Sequence, residues 1–211
     1  MPPTPFTAGF KRIELGAIVL AGVLAVRAMP AVATLGVMNL ALAFTMLLLA
    51  DLVSGVVHWM FDRWGTPETP IVGPNLIRTF REHHTDPLGI TRHSFVEANG
   101  GPALGSIPIL VVGLASPPTV TAGCFWLAGF VFFTNVIHSW AHGQPPRLVR
   151  WLQARGVLLS PEHHAAHHTS PHDRAYCITT GWMNPLLDSV NAWDRLERLV
   201  TATVGVVPSR G

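Results

Sequence analysis

Residues 31–61 read AVATLGVMNLALAFTMLLLADLVSGVVHWMF. The stretch is apolar through Ala50, and a membrane-spanning helix needs about 20 mostly apolar residues, so it predicts a transmembrane helix. Beyond Ala50, Asp51, Gly55, His58 and Asp62 recur at i, i+4, i+7 and i+11, which places them on one helix face. An ionisable group near membrane depth is costly, so Asp51 is either a functional residue or the partner of an arginine.

The composition supports a membrane protein. The chain has 211 residues, of which 49% are hydrophobic and only 12% are charged, whereas soluble domains carry about 25% charged residues. A net charge of +2 without a basic run argues against nucleic-acid binding. The two cysteines, Cys124 and Cys177, form neither a disulfide framework nor a CxxC pair, which argues against a thiolate metal site.

Four apolar segments predict an all-α integral membrane protein with about four transmembrane helices in a single domain, 1–211. The predicted spans are 14–29, 31–61, 103–115 and 118–142, with polar segments at 62–102 and 143–211. The first span ends at Pro30 and also fits a cleaved signal peptide, since Lys11 and Arg12 precede it. The third contains Pro108 and is either a kinked span or a re-entrant pair with the fourth.

The basic residues predict the orientation. With four spans, all 14 lysines and arginines except Arg27 share one side of the membrane. The positive-inside rule makes that side cytoplasmic, in a bacterial inner membrane or an equivalent one. All 11 histidines lie between His58 and His172, so the sequence predicts a histidine-rich helical cap on the cytoplasmic side.

The spacing of the histidines is typical of metal ligands. His138 and His142 lie at i, i+4 with Asn135 on the same face, so both rings are expected to reach one metal. Residues 81–87 read REHHTDP and residues 161–168 read PEHHAAHH, in which 163/167 and 164/168 are further i, i+4 pairs. The predicted ligands are His58, His83, His84, His138, His142, His163, His164, His167 and His168. Further ligands, or residues that support ligands, are His93, His172, Asp51, Asp62, Asn135, Asp86 and Asp173.

The number of imidazoles indicates two metal ions. Imidazole suits Zn, Cu, Fe and Ni, and a tetrahedral zinc takes about four ligands. Eight or more imidazoles exceed the needs of one zinc, although a solvated histidine-rich loop is the alternative. The nearby carboxylates are expected to accept the second ring N–H and to orient the rings; they include Glu82 and Glu162.

Five stretches carry a resemblance to a known family. They read DLVSGVVHWMFDRWG at 51–65, FREHHTDP at 80–87, ITRHSFVEANG at 90–100, NVIHSWAH at 135–142, and HHAAHHTSPHDRAYCITTGWMN at 163–184. The chain resembles the Kua/CarF family of membrane lipid desaturases, which includes plasmanylethanolamine desaturase and plant plastid phosphatidylglycerol acyl desaturases. The first fifty residues resemble the family only in being hydrophobic.

The resemblance implies an oxidoreductase with two iron ions, O2 as co-substrate and an external electron donor. The implied reaction converts the 1-O-alkyl chain of an ether phospholipid, plasmanylethanolamine, to the vinyl ether of a plasmalogen. Since the chain has neither a GxGxxG after a strand nor a CxxCH, the donor is expected to be cytochrome b5-like or ferredoxin-like. Arg147, Arg150 and Arg155 would then form its docking face, or would meet anionic headgroups.

Other interpretations stay open. One alternative is an enzyme that desaturates the acyl chain of a phospholipid or hydroxylates a phospholipid. A second alternative is a non-enzymatic metal-binding membrane protein. Ligands gathered on one side of the membrane argue against a metal transporter, which needs them at mid-membrane. The tryptophans near the predicted membrane interface are expected to form an aromatic belt rather than to contact substrate. They are Trp59, Trp64, Trp140, Trp151, Trp182 and Trp193.

Overall fold

A computed structural model of the chain describes residues 8–209, which form helices and no strands. The helices are α1 Ala8–Ala33, α2 Met38–Arg63, α3 Arg78–Thr85, α4 Phe95–Leu114, α5 Pro118–His142, α6 Arg147–Ala154, α7 Pro161–Ala165, α8 Asn184–Ser189 and α9 Ala192–Val204. One π turn, Gly73–Ile77, leads into α3, and one 3₁₀ turn, Gly89–Arg92, follows it. Residues 1–7 and 210–211, which the predicted domain includes, lie outside the described part of the chain, as does Arg210 of the charge argument.

Four of these helices are long and apolar enough to cross a membrane. The candidate spans are Phe10–Ala33, Met38–Arg63, Phe95–Leu114 and Pro118–His142, which confirms the all-α fold with four spans. At 1.5 Å per residue, the 26 residues of α2 extend about 39 Å, whereas the hydrocarbon core is about 30 Å thick. The last turns of α2 therefore reach beyond the hydrocarbon, where polar side chains are tolerated.

The span boundaries differ from the predicted ones. Helix α1 continues through Pro30 to Ala33, and α2 begins only at Met38. Helix α4 begins at Phe95 rather than at 103, because Ser94 caps it: Ser94 Oγ accepts from the Glu97 N–H at 3.4 Å, and the Glu97 carboxylate accepts from the Ser94 N–H at 2.9 Å. Its two prolines lie inside one continuous helix, as membrane helices tolerate.

The chain divides into two compact units. The first comprises Met1–Ala50 and His93–Val136, and the second comprises Asp51–Arg92 and Ile137–Gly211. In the first unit α1 packs on α4 through small side chains, which let helix backbones approach closely. The buried residues of this core are Ala17, Ala21, Ala28, Ala103, Leu110 and Ala128.

The second unit contains the ends of α2 and α5, the helices α3 and α6 to α9, and an extended loop, 174–183, that precedes α8. A Cβ added at Gly55 of α2 would lie 2.5 Å from Cys177 Sγ, so the loop backbone lies directly against that helix. Trp59 and Trp193 are buried in the same core, with exposed fractions of 6% and 3%. The predicted aromatic belt is therefore wrong for these two residues, which pack against protein.

Candidate metal centre

The first histidine group consists of five imidazoles in the second unit: His83 of α3, His138 and His142 of α5, and His164 and His168 at α7. Their Nε2 atoms converge. His83 Nε2 lies 3.1 Å from that of His138 and 3.0 Å from that of His142. His164 Nε2 lies 2.8 Å from that of His138 and 3.1 Å from that of His168. Five ring nitrogens therefore meet at one point.

The second histidine group, in the same unit, consists of His58, His84 and His167 with the carboxylate of Asp62. Asp62 Oδ2 lies 3.0 Å from His84 Nε2, 3.4 Å from His58 Nε2 and 3.3 Å from His167 Nε2. The two longer distances, to His58 and His167, are within ion-pair range. The Nε2 atoms of these two rings are buried and make no hydrogen bond. Three ring nitrogens thus surround one carboxylate oxygen.

Helix geometry distributes the ligands between the groups. Residues at i, i+4 share a helix face, so His138 and His142 of α5 enter the first group together, while His58 and Asp62 of α2 enter the second. His168 lies in the turn that follows α7 and joins His164 in the first group. Neighbouring residues point in directions about 100° apart. Two of the three histidine doublets are split between the groups, with the 83 and 168 side chains in the first and the 84 and 167 side chains in the second; of the third doublet only His164 enters a group.

Backbone carbonyls orient two rings of the second group. His58 donates its Nδ1–H to the carbonyl of Tyr176 at 3.2 Å, and His167 donates its Nδ1–H to the carbonyl of Arg174 at 2.8 Å. With the proton on Nδ1, each Nε2 keeps its lone pair free for a metal. His172 lies just outside the group, with its Nδ1 at 3.2 Å from His84 Nδ1 and 2.9 Å from the His167 carbonyl.

Burial keeps neutral the three imidazoles of the first group that lie outside the spans. Desolvation, reinforced by the neighbouring rings, lowers the pKa of His168 to about 3 and the pKa values of His83 and His164 well below their usual range. A neutral imidazole is the form that binds metal, so these rings need not lose a proton first at neutral pH.

The donor set fits metal ions. Neutral rings whose Nε2 lone pairs point at one another repel, and a cation between them removes that repulsion. The buried, unpartnered Nε2 atoms of His58 and His167 also require a partner. The two groups are adjacent, because the ring centroids of His84 and His168, one from each group, are 5.3 Å apart. Imidazole with a single carboxylate suits borderline transition metals, not Mg²⁺ or Ca²⁺.

His163 and His93 lie outside both groups. His163 Nε2 accepts a hydrogen bond from Asn184 Nδ2 at 3.0 Å, because the turn of α7 that directs His164 into the first group directs its neighbour away. His93 is exposed in the first unit. The i, i+4 pairing of His163 with His167 was therefore a wrong interpretation of the spacing.

Three polar residues expected to bind or support a metal are also elsewhere. Asp86 pairs with Arg92 on the surface. Asp173 is exposed and belongs to neither group. Asn135, in the first unit, donates from Nδ2 to the carbonyl of Ala98 at 2.9 Å. In each case a local partner or solvent, not a cluster of ring nitrogens, surrounds the polar group.

Asp51 pairs with backbone, not with an arginine. Its Oδ1 accepts from the N–H groups of Thr179, Thr180 and Gly181 at 3.1, 2.7 and 2.9 Å. Its Oδ2 accepts from the Met183 N–H at 3.0 Å. The carboxylate is fully buried and belongs to neither histidine group, so of the two interpretations of Asp51 the pairing with an arginine is wrong.

Several contacts near the site have no signal in the residue spacing. Arg63 binds Glu197 of α9 with two hydrogen bonds, Nε to Oε1 at 2.5 Å and Nη2 to Oε2 at 3.0 Å. The backbone carbonyls of Arg174 and Tyr176 orient ligand rings. Every residue has a backbone carbonyl, so the residue types at these positions do not show which carbonyls accept. Asn184 had a visible signal, since it ends the last of the stretches that carry the family resemblance.

The chain is similar to several known desaturases. Plasmanylethanolamine desaturase of Myxococcus xanthus is 46% identical over 168 residues, which cover 76% of this chain and 60% of that protein. Plasmanylethanolamine desaturase 1 of Mus musculus is 43% identical over 76% of this chain and 64% of its own length. Fatty acid desaturase 4, chloroplastic, of Arabidopsis thaliana is 39% identical over 76% of this chain and 51% of its own length.

The chain thus spans less than two thirds of the length of these relatives. No solved structure matches it significantly. Residues 47–210 match the family described as the lipid desaturase domain. This match covers both histidine groups, the 174–183 loop and the Arg63–Glu197 pair, and the chain belongs to the lipid desaturase family.

Proposed function

We propose that this chain is a membrane oxidoreductase that binds one iron ion in each histidine group and desaturates a phospholipid chain. The favoured substrate is the 1-O-alkyl chain of plasmanylethanolamine, which would become the vinyl ether of a plasmalogen. Two relatives named plasmanylethanolamine desaturase support this choice, at 46% and 43% identity. A relative named fatty acid desaturase supports the acyl chain of a phospholipid as the second candidate.

The observation that carries the proposal is the pair of adjacent groups, one of five imidazoles and one of three imidazoles with a carboxylate. A pair of bound irons would supply the reduction of O2 to two water molecules, with two electrons from the lipid chain and two from an external donor. A cytochrome b5-like or ferredoxin-like protein would serve as that donor, since the chain has no sequence signature of a flavin, nicotinamide or haem site.

The residues of the chain would hold and shield this centre. The proposed ligands are His83, His138, His142, His164 and His168 for one ion, and His58, His84, His167 and Asp62 for the other. Six of these nine side chains are buried and three are half-buried, which would limit the access of bulk water to the reacting carbons. The carbonyls that accept from Nδ1 fix the ring orientation before a metal binds.

The position of the ligands along the spans favours a substrate carbon close to the headgroup. His138 and His142 lie in the last two turns of α5, and His58 lies near the end of α2. The first carbons of a 1-O-alkyl or acyl chain lie at this depth. We propose that this end of the spans is cytoplasmic, because the polar segments between and after the spans carry most of the arginines.

Product analysis tests the proposal. We would express the chain in a bacterium without desaturases, supply 1-O-alkyl lipids, and measure the acid-labile vinyl ether. A loss of two hydrogens from the alkyl chain is expected, and the variant His164→Ala serves as the inactive control. Gain of one oxygen would establish a hydroxylase instead, and desaturation of acyl chains alone would establish the second candidate. Unchanged lipids, with an added electron donor, would refute both.

A further inference from the structure

Asp51 contacts a part of the chain that the proposed chemistry does not use directly. Its carboxylate, fully buried in α2, accepts hydrogen bonds from residues 179–181 and from Met183. Three consecutive N–H groups converge on Oδ1, and the last of them belongs to Gly181, whose φ of +77° is a left-handed conformation that glycine adopts without strain. Such a concave run of N–H groups forms a binding site for an acceptor oxygen, so the Asp51 carboxylate and the loop hold each other in place.

The 174–183 loop has few hydrogen bonds of its own, and side chains from elsewhere hold it. The Ile178 N–H donates to Ser54 Oγ at 3.0 Å, one turn along α2 from Asp51. The Cys177 N–H donates to Asn184 Oδ1 at 2.8 Å, and the Cys177 carbonyl accepts from Asn184 Nδ2 at 3.0 Å. Asp188 accepts one more hydrogen bond, from the Ala175 N–H at 3.3 Å. Asp51 accepts four from the loop, more than any other side chain described, and is therefore its principal anchor.

The same loop carries the two carbonyls that orient rings of the second histidine group. Tyr176 accepts from His58 Nδ1, and Arg174 accepts from His167 Nδ1. Along α2, Asp51, Ser54 and His58 lie within two turns, so one helix presents both a ligand and the anchor of that ligand's acceptor. In the first group, the hydrogen bonds described for the rings are all contacts between Nε2 atoms.

We propose that Asp51 is a positioning residue for the second histidine group alone: by anchoring the 174–183 loop it fixes the carbonyls that keep Nε2 of His58 and His167 free for metal. This inference rests on the proposed function, because it assumes one metal ion in each group. Loss of the anchor would release the loop, leave both Nδ1–H groups without a fixed acceptor and weaken one metal site only.

The test compares metal binding in Asp51→Asn and wild type. Asparagine keeps one acceptor oxygen but removes the negative charge. Its amide nitrogen, in the place of Oδ2, cannot accept a hydrogen bond from the Met183 N–H. We expect the affinity of the second site to fall about 10–100-fold, the usual effect of removing an outer partner of a ligand. Iron per folded chain should fall from about two to about one, with one of two Mössbauer signals lost. Asp194→Asn, which changes an exposed aspartate paired with Arg198, is the matched control.

The outcomes separate the inference from the proposed function. Two irons bound to Asp51→Asn with wild-type affinity, or parallel loss of both irons, would refute the inference. If Asp51→Asn does not fold, Ser54→Ala decides: a selective weakening of one iron site, by about threefold or more, supports the inference, and equal affinities refute it. If wild type holds two irons but forms no desaturated lipid, the proposed function fails while the assignment of Asp51 stands.

Discussion

The two histidine groups are adjacent yet built on different principles. The first consists of five neutral imidazoles whose rings contact one another. The second combines three imidazoles with the carboxylate of Asp62, and backbone carbonyls orient two of its rings. The first therefore depends on ring packing between three helical segments, whereas the second depends on one charge and on the 174–183 loop.

Because of this difference, the two proposed metal ions would have unequal environments. A divalent ion in the first group would keep its full positive charge, while Asp62 would compensate part of the charge in the second. The second ion is thus expected to be easier to oxidise, because a carboxylate stabilises the higher charge. Variants that affect one group at a time test whether the two groups differ in this way.

The largest effect is expected for His164→Ala. His164 is 1% exposed, and its Nε2 contacts those of His138 and His168, so its removal opens the centre of the first group. Vinyl ether formation should fall below detection while the protein stays in the membrane. His163→Ala, one residue away, should retain both metals and activity within about tenfold, because it removes only the acceptor of Asn184. Equal activity of the two variants would overturn the ligand assignment.

Asp62→Asn should affect the second group more than the first. The amide is uncharged, so Asp62 Oδ2 no longer offers a negative charge to the three ring nitrogens around it. We expect the second metal to bind at least about 100-fold more weakly, with the first metal retained. Metal titration with stoichiometry by elemental analysis measures this split. Retention of two metals at wild-type affinity would show that the two groups do not differ in this way.

Glu197→Gln separates stability from metal binding. The Arg63–Glu197 pair has side chains only 10% and 15% exposed, so the variant leaves a mostly buried guanidinium without its charge partner. The free energy of unfolding should fall by about 2–3 kcal/mol, with metal content per folded chain unchanged. Thermal unfolding in detergent provides the measurement, and Asp194→Asn should lower stability by less than about 1 kcal/mol. A coupled loss of metal would mean that α9 supports the second group directly.

The smallest effect is expected for His93→Gln. His93 is exposed in the first unit and belongs to neither histidine group. Metal content should equal that of wild type, and activity should stay within about twofold, as for most surface substitutions. A loss of one metal in this variant would place His93 among the ligands and change the composition of the groups.

The sequence predicted the helical part of this contrast well. Apolar length located four spans, and i, i+4 spacing correctly paired His138 with His142 and His164 with His168 in one group each. Spacing also suggested a pairing of His163 with His167, which the structure does not have. The rotation of the five-residue helix α7 about its axis depends on how the helix packs. Packing leaves no periodic pattern in the sequence, so spacing alone could not predict that rotation.

The non-helical part of the contrast was not predictable. The 174–183 loop has no periodicity, and its contacts to Asp51 and Ser54 use backbone N–H groups that every residue except proline has. The sequence singled out Asp51 because an ionisable group near membrane depth is costly, but it left open whether Asp51 is a functional residue or pairs with an arginine. Four N–H groups satisfy the same charge, and only the three-dimensional fold shows this.

The metal content of the purified wild-type protein tests the central claim most directly. Anaerobic reconstitution with ferrous iron, followed by elemental analysis and Mössbauer spectroscopy, should give about two irons per chain in two distinct environments. One zinc per chain and no bound iron, or two irons in identical environments, would contradict the account of two adjacent and unequal sites.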